Sequence, residues 1–183
     1  MRIRSFLERH PEDGGAARMA VLEERAMNLK PIGIIHSPYK DMEKCPPQGR
    51  EEVCKIQVFD QYAEGLSDVD GFSHLILLYC FHSAKGYSLS VKTPWDSERH
   101  GVFATRSPNR PNPIGFSVVE LVERNGNQLT VKGLDALEGT PVLDIKPYLP
   151  EIDSKTGVRI GWVKNTDFSK VYRGFRKESE HVQ

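Results

Sequence analysis

The sequence predicts an all-β fold, a barrel or a sandwich, on three observations. About seven short runs carry strand patterning and are separated by turn residues. No segment among them sustains the 3.6-residue apolar period of a long helix. Asn125-Gly126, between two of the runs, is the strongest short hairpin signal in the chain.

Taken in order, residues 31–39 (PIGIIHSPY) read as a strand ending at Pro38, followed by a polar loop, 40–50, that holds Pro46-Pro47. In 53–59 the apolar residues Cys54, Ile56 and Val58 fall on one face, as a period of two requires. Residues 60–66 read as a turn or one helical turn. The run 75–81 (LILLYCF) is too short for a typical buried helix and reads as a central strand buried on both faces. Residues 87–91 form a further strand closed by Pro94, and 95–100 a polar loop. Residues 102–105 are strand-like. Runs 114–122 and 128–134 pair through the Asn-Gly turn, 135–139 is a turn, and 141–145 (PVLDI) is the last strand.

Two segments flank this region. Residues 1–29 mix acidic and basic side chains around Pro11 and Gly14-Gly15, and are expected to be a mobile leader, with Met27 a candidate translation start. Residues 151–183 form a basic tail. Its 154–177 stretch holds seven Lys and Arg against the single acid Asp167, interleaved with Trp162, Phe168, Tyr172 and Phe175. Such a stretch fits a nucleic-acid surface, where cations meet phosphates and rings stack on bases. It fits somewhat better a tail that docks its rings on the domain and leaves its charges in water.

Composition excludes several classes. With 38% hydrophobic and 27% charged residues the chain fits a soluble globule with its own core. Its formal net charge is zero, so a nucleic-acid contact must come from local patches rather than from the whole surface. Cys45, Cys54 and Cys80 form no C-x-x-C pair, and the histidines show no ligand spacing, which argues for a reducing compartment and against a metal site. No apolar run is long enough to span a bilayer; a cytoplasmic location follows as the expectation. The glycine-rich nucleotide loops and the G-x-S-x-G elbow are absent.

Chemistry is concentrated in two places. The first is 101–116 (GVFATRSPNRPNPIGF), where Pro108, Pro111 and Pro113 stiffen a path presenting Arg106, Arg110, Asn109 and Asn112. Fork-shaped cations on a stiff loop suit a phosphate or a carboxylate, or else form a rigid surface corner. The second is Asp144-Ile-Lys146-Pro-Tyr148, where alternation puts an acid, an amine and a phenol on one side. They can relay a proton, or make an Asp144–Lys146 salt bridge with Tyr148 at a rim. His82, at the end of the 75–81 run, is either a site residue or a core-edge histidine. Nothing near Cys45 points to a lowered pKa.

Four segments, PIGIIHSPYK, FSHLILLYCFH, GVFATRSPNRPNPIGFSVVEL and GLDALEGTPVLDIKPYLP, occur in one order, and across about residues 30–150 the chain resembles the TrmO family, also called TsaA-like or YaeB-like. The resemblance implies a single-sheet, non-Rossmann β-barrel that binds S-adenosylmethionine and acts as a homodimer. It further implies methyl transfer to N6 of N6-threonylcarbamoyladenosine beside the tRNA anticodon. By the same resemblance the cofactor positions are Pro46, Pro47, Gln48, His82, Ser83, Arg106, Val118, Leu134, Asp135, Ala136 and Leu137. Catalytic candidates are Asp144, Lys146, Tyr148 and Asn112, with Arg110 and Lys146 for the threonyl carboxylate. Pro-Pro-Gln stands where Pro-Arg-Gln is common, Ser83 where a larger polar residue is found, and the region after the barrel is short. These departures leave two alternatives: a small-molecule acceptor, or a binding module without catalysis.

Overall fold

The computed structural model describes residues 28–41, 45 and 52–165. Contacts divide the chain into two compact units, Met1–Lys30 and Pro31–Gln183, and the fold described here lies in the second.

Eight strands form: β1 (Gly33–His36), β2 (Val53–Val58), β3 (His74–Cys80), β4 (Ser90–Lys92), β5 (Arg99–Gly101), β6 (Ile114–Asn125), β7 (Gln128–Lys132) and β8 (Thr140–Pro147). Six of them close an antiparallel barrel in the order β1-β2-β7-β6-β3-β8, and β4-β5 is a separate two-stranded ribbon. A four-residue helix, α1 (Pro150–Asp153), follows β8. No helix among the described residues is long and apolar enough to cross a membrane.

Alternation sets the core. Cys54, Ile56 and Val58 of β2 and Leu75, Leu77 and Tyr79 of β3 point inward and are buried. Each buried Leu or Ile contributes about 1.5–3 kcal/mol. The expectation that 75–81 is buried on both faces is corrected, because a closed barrel has one interior. Ile76, Leu78 and Cys80 lie outside and are only half-buried. The strand-like reading of 102–105 is also corrected. Val102–Ala104 is a 3-10 turn in which Thr105 donates both its amide and its hydroxyl to the Val102 carbonyl. The 87–91 strand begins only at Ser90, and its partner β5 starts at Arg99, within the stretch read as a loop, 95–100, and ends one residue past it.

The β6–β7 hairpin forms where Asn-Gly marked it, one residue displaced. Asn125 pairs with Gln128, so Gly126-Asn127 is the loop, with Gly126 at φ 61° in the first central position. A side chain is disfavoured there, and glycine meets the requirement.

One irregularity decides where chemistry points. Leu78 pairs with Asp144 but Tyr79 with Val142, so Leu143 is an extra residue on β8. Thr140 and Val142 face the core. Unbroken alternation would send Asp144 and Lys146 there too, at a prohibitive desolvation cost. The bulge turns the strand instead, so that Ile145 packs on the core and Lys146 is exposed.

Candidate active site at the barrel mouth

At the end of β3 the chain turns sharply. The Phe81 amide donates to the Pro113 carbonyl (2.7 Å) and His82 to Cys80 (2.8 Å). This sets His82 and Ser83 at the mouth, where His82 Nδ1 lies 3.2 Å from Thr140 Oγ1.

The second wall is the turn after β7. Its Leu134, Ala136 and Leu137 are buried. Glu138 and Gly139 amides donate to the Tyr39 and Ile35 carbonyls at 2.7 and 2.9 Å. The Glu138 carboxylate accepts from the Ser37 amide (2.7 Å) and pairs with His36 (2.9 Å). The Ser37 hydrogen bond first, and His36 second, hold Glu138 below the usual carboxylate range. A depressed carboxylate stabilises the fold above its unfolded pKa, and this tie is lost as pH falls through the lower folded value.

Between the walls is a cleft of about 220 Å³, lined by Phe81, His82, Ser83, Ala84, Pro108, Asn109, Thr140, Tyr79 and residues 135–137. Inside it, the Tyr79 hydroxyl and the Ser117 hydroxyl donate to the same oxygen of Asp135, at 3.1 and 3.0 Å. Burial, then the Asp135 charge, pushes the Tyr79 phenol upward. It therefore stays protonated and acts as a donor. Burial, then Asp135, likewise pushes Cys45 up to about 12, so this thiol carries no reactive thiolate at neutral pH.

Of the sequence-predicted cofactor residues, His82, Ser83, Asp135, Ala136 and Leu137 converge on the cleft, with Leu134 fully buried beside it. Pro46, Pro47 and Gln48 lie outside the described residues. Val118 and Arg106 are elsewhere: Val118 is on the outer face of β6, and the Arg106 guanidinium lies over the outward Phe116 ring, 5.9 Å from its centroid. Asp144 and Lys146 form an ion pair on that same outer face. Tyr148 sits edge-on to His74 at 6.4 Å, which is the salt-bridge-and-rim arrangement. Across the sheet Val118, Ile76 and Lys146 form one row and Phe116, Leu78 and Asp144 the next.

Asn112 is exposed, its carbonyl accepting the Ile114 amide at 2.8 Å around Pro113. Arg110 is turned into its own loop. Nε donates to Ser107 O (2.9 Å), and Nη2 to Val102 O (3.0 Å) and Thr105 O (2.6 Å). Prolines leave the loop short of donors, and this fork supplies them. Arg110→Lys places one point charge where a fork is needed. It is expected to cost about 1–3 kcal/mol, read as a lower denaturant midpoint. An unchanged midpoint would show that the clamp is dispensable.

Sequence reasoning missed Tyr79, Ser117 and Thr140; Asn109, which it named only as part of the proline-stiffened loop, lines the cleft. A signal existed for the first two: each is a hydroxyl at an inward position whose neighbouring inward residues are apolar.

The family model described as "tRNA-methyltransferase O N-terminal domain" matches residues 34–154. The chain belongs to the TrmO family. It is 52% identical over 143 residues to a probable S-adenosyl-L-methionine-binding protein of Archaeoglobus fulgidus, covering 77% of this chain and 39% of that protein. It is 36% identical over 169 residues to the tRNA (adenine(37)-N6)-methyltransferase of Escherichia coli, covering 85% and 72%. A crystal structure of TrmO from Pseudomonas aeruginosa superposes with a TM-score of 0.63 at 34% identity, covering 75% of this chain and 62% of that one. The chain thus spans well under half of the Archaeoglobus relative and under two thirds of the Pseudomonas chain. The closed barrel is the fold that the resemblance implied, and the matched residues 34–154 take in all but the first residue of it.

Proposed function

We propose that the chain is the barrel of a methyltransferase that uses S-adenosylmethionine, acts in the cytoplasm, and modifies N6 of adenosine 37 in tRNA, with N6-threonylcarbamoyladenosine as the acceptor. One observation carries the reading. His82 and Ser83 on one segment and residues 135–137 on another converge on a single cleft, in a chain 36% identical to an enzyme of that name.

The cleft suits the cofactor by its chemistry. Phe81, Ala136 and Leu137 offer apolar walls to a flat base, while His82, Ser83, Asn109 and Thr140 offer hydrogen-bonding groups. Asp135, fixed by Tyr79 and Ser117, presents a carboxylate suited to a cation. Bound there, S-adenosylmethionine supplies an electrophilic methyl group on a sulfonium.

The remaining roles fall to the outer face. The acceptor nitrogen is urea-like and a poor nucleophile while protonated, so Asp144 is assigned as acceptor of its proton. Lys146 is assigned to the threonyl carboxylate, since Arg110 is engaged by its own loop. Asn112 and Tyr148 orient the base, and Arg106 contacts the cofactor.

Cleft and outer-face residues point to opposite sides of one sheet, so a homodimer reconciles them. The outer face carries exposed apolar side chains beside its ion pair, with Phe116 46% and Val118 38% exposed. In this arrangement a second copy packs on that face about a two-fold axis, and the reading requires Arg106, Val118, Asp144 and Lys146 to reach its partner's cleft. Phe116→Asp is expected to yield monomers with no methyl transfer, measured by sedimentation alongside activity. A fully active dimeric variant would rule this face out.

The deciding experiment is transfer from labelled S-adenosylmethionine to tRNA with and without the threonylcarbamoyl group. Label on the modified tRNA alone is expected. The binding-only name of the 52% identical archaeal relative favours a second reading, a binding module or an enzyme with a small acceptor. Cofactor binding with no transfer to either tRNA would select it.

A further inference from the structure

The β4–β5 ribbon stands apart from the barrel and has no role in the cleft beyond its flank. A two-stranded ribbon is marginal alone, and here a segment from after the barrel braces it. Trp162 stacks on His100, with ring centroids 3.9 Å apart and planes 11° apart, and on Trp95 at 6.1 Å. Its indole N–H donates to the Ala104 carbonyl at 2.9 Å, and His100 pairs with Asp96 at 2.9 Å.

The braced unit is apolar and aromatic where it meets water. Phe103 is 79% exposed, Leu89 63% and Tyr87 54%. They are joined through the backbone: the Val102 amide donates to Leu89 O at 3.0 Å. The unit is also cationic, unlike the chain as a whole. Residues 85–105 expose Lys85, Lys92 and Arg99 against Asp96 and Glu98, and 154–165 adds Lys155, Arg159 and Lys164 with no acid. It adjoins the cleft, since the Ser88 amide donates to the carbonyl of Asn109, a cleft residue, at 3.2 Å.

We propose that the β4–β5 ribbon and the 154–165 segment, anchored to it through Trp162, form an RNA-binding surface beside the cleft, with Phe103 and Tyr87 as stacking faces for unpaired bases. Exposed rings within a cationic rim match a single-stranded loop, whose bases stack and whose phosphates need cations. The inference rests on the proposed function and deepens it, because it names the surface that holds the tRNA.

Two sets of variants of the full chain test it: Phe103→Ala with Tyr87→Ala, and Lys155→Gln with Arg159→Gln and Lys164→Gln. Each is measured for tRNA binding across a salt titration, for S-adenosylmethionine binding, and for oligomeric state. The aromatic pair is expected to weaken tRNA binding by about 5- to 150-fold for each base unstacked, with the salt slope unchanged. The charge variant is expected to reduce the salt slope by about 2, near 0.7 per neutralised contact. Cofactor affinity should not change in either. Wild-type tRNA affinity in both variants overturns the inference and leaves the proposed function standing. Unchanged tRNA affinity together with loss of dimers overturns it in favour of a surface between copies. A wild-type chain that binds the cofactor but no tRNA overturns the inference and the tRNA reading together.

Discussion

Asp144→Asn is expected to lower methyl transfer to threonylcarbamoylated tRNA by about 10²- to 10⁴-fold, the usual worth of a positioned proton acceptor. The change is nearly isosteric. The Ile145 amide, 2.9 Å from Asp144 Oδ1, still finds an acceptor, and only the charge is lost. Lys146 keeps its place on the strand but loses its ion-pair partner. Single-turnover rates at saturating cofactor isolate the chemical step. Wild-type turnover in that assay would remove the proton-acceptor role, whereas a raised KM with unchanged kcat would mean that Asp144 serves only to orient Lys146.

Gly115→Ala should be among the most damaging small changes in the barrel. A Cβ there would lie 2.2 Å from Tyr79 Cε2 and 2.5 Å from its Cζ. The ring cannot slide aside cheaply, because its hydroxyl is fixed on Asp135 and contacts Ser117. Overpacking costs about 1–3 kcal/mol, and each lost hydrogen bond about 0.5–1.5 kcal/mol more. The thermal midpoint should fall by several degrees, with weaker cofactor binding. In a Tyr79→Leu background the same substitution should cost far less. Equal costs in the two backgrounds would show that the ring and the glycine are not coupled.

The barrel strands and the hairpin were legible because their signals are local. The alternation in β2 and the Gly126 turn depend on a few neighbouring residues. The bulge at Leu143 was not legible. It is a pairing event between β3 and β8, and nothing in PVLDIKPY marks the extra residue. Yet Asp144 and Lys146 did share a side, because the bulge precedes them. Arg110 read as a free cation, since its use depends on carbonyls that the 3-10 turn at 102–104 aims at it. The cleft was half legible. Two of its segments entered through the family resemblance, but the Tyr79–Ser117–Asp135 cluster exists only once three distant strands and turns meet.

The pairing of Gly33 with Val142 has a consequence in time. A four-residue first strand must wait for the last one, across roughly a hundred residues of chain, before the sheet closes. Contacts of that range slow folding, because loop entropy is lost before they form. During synthesis the emerging chain therefore exposes unpaired edges of β1 and β3 until β8 has left the ribosome. A nascent chain halted before residue 140 should remain open to proteases and to chaperones. One extended beyond residue 147 should become resistant as a unit.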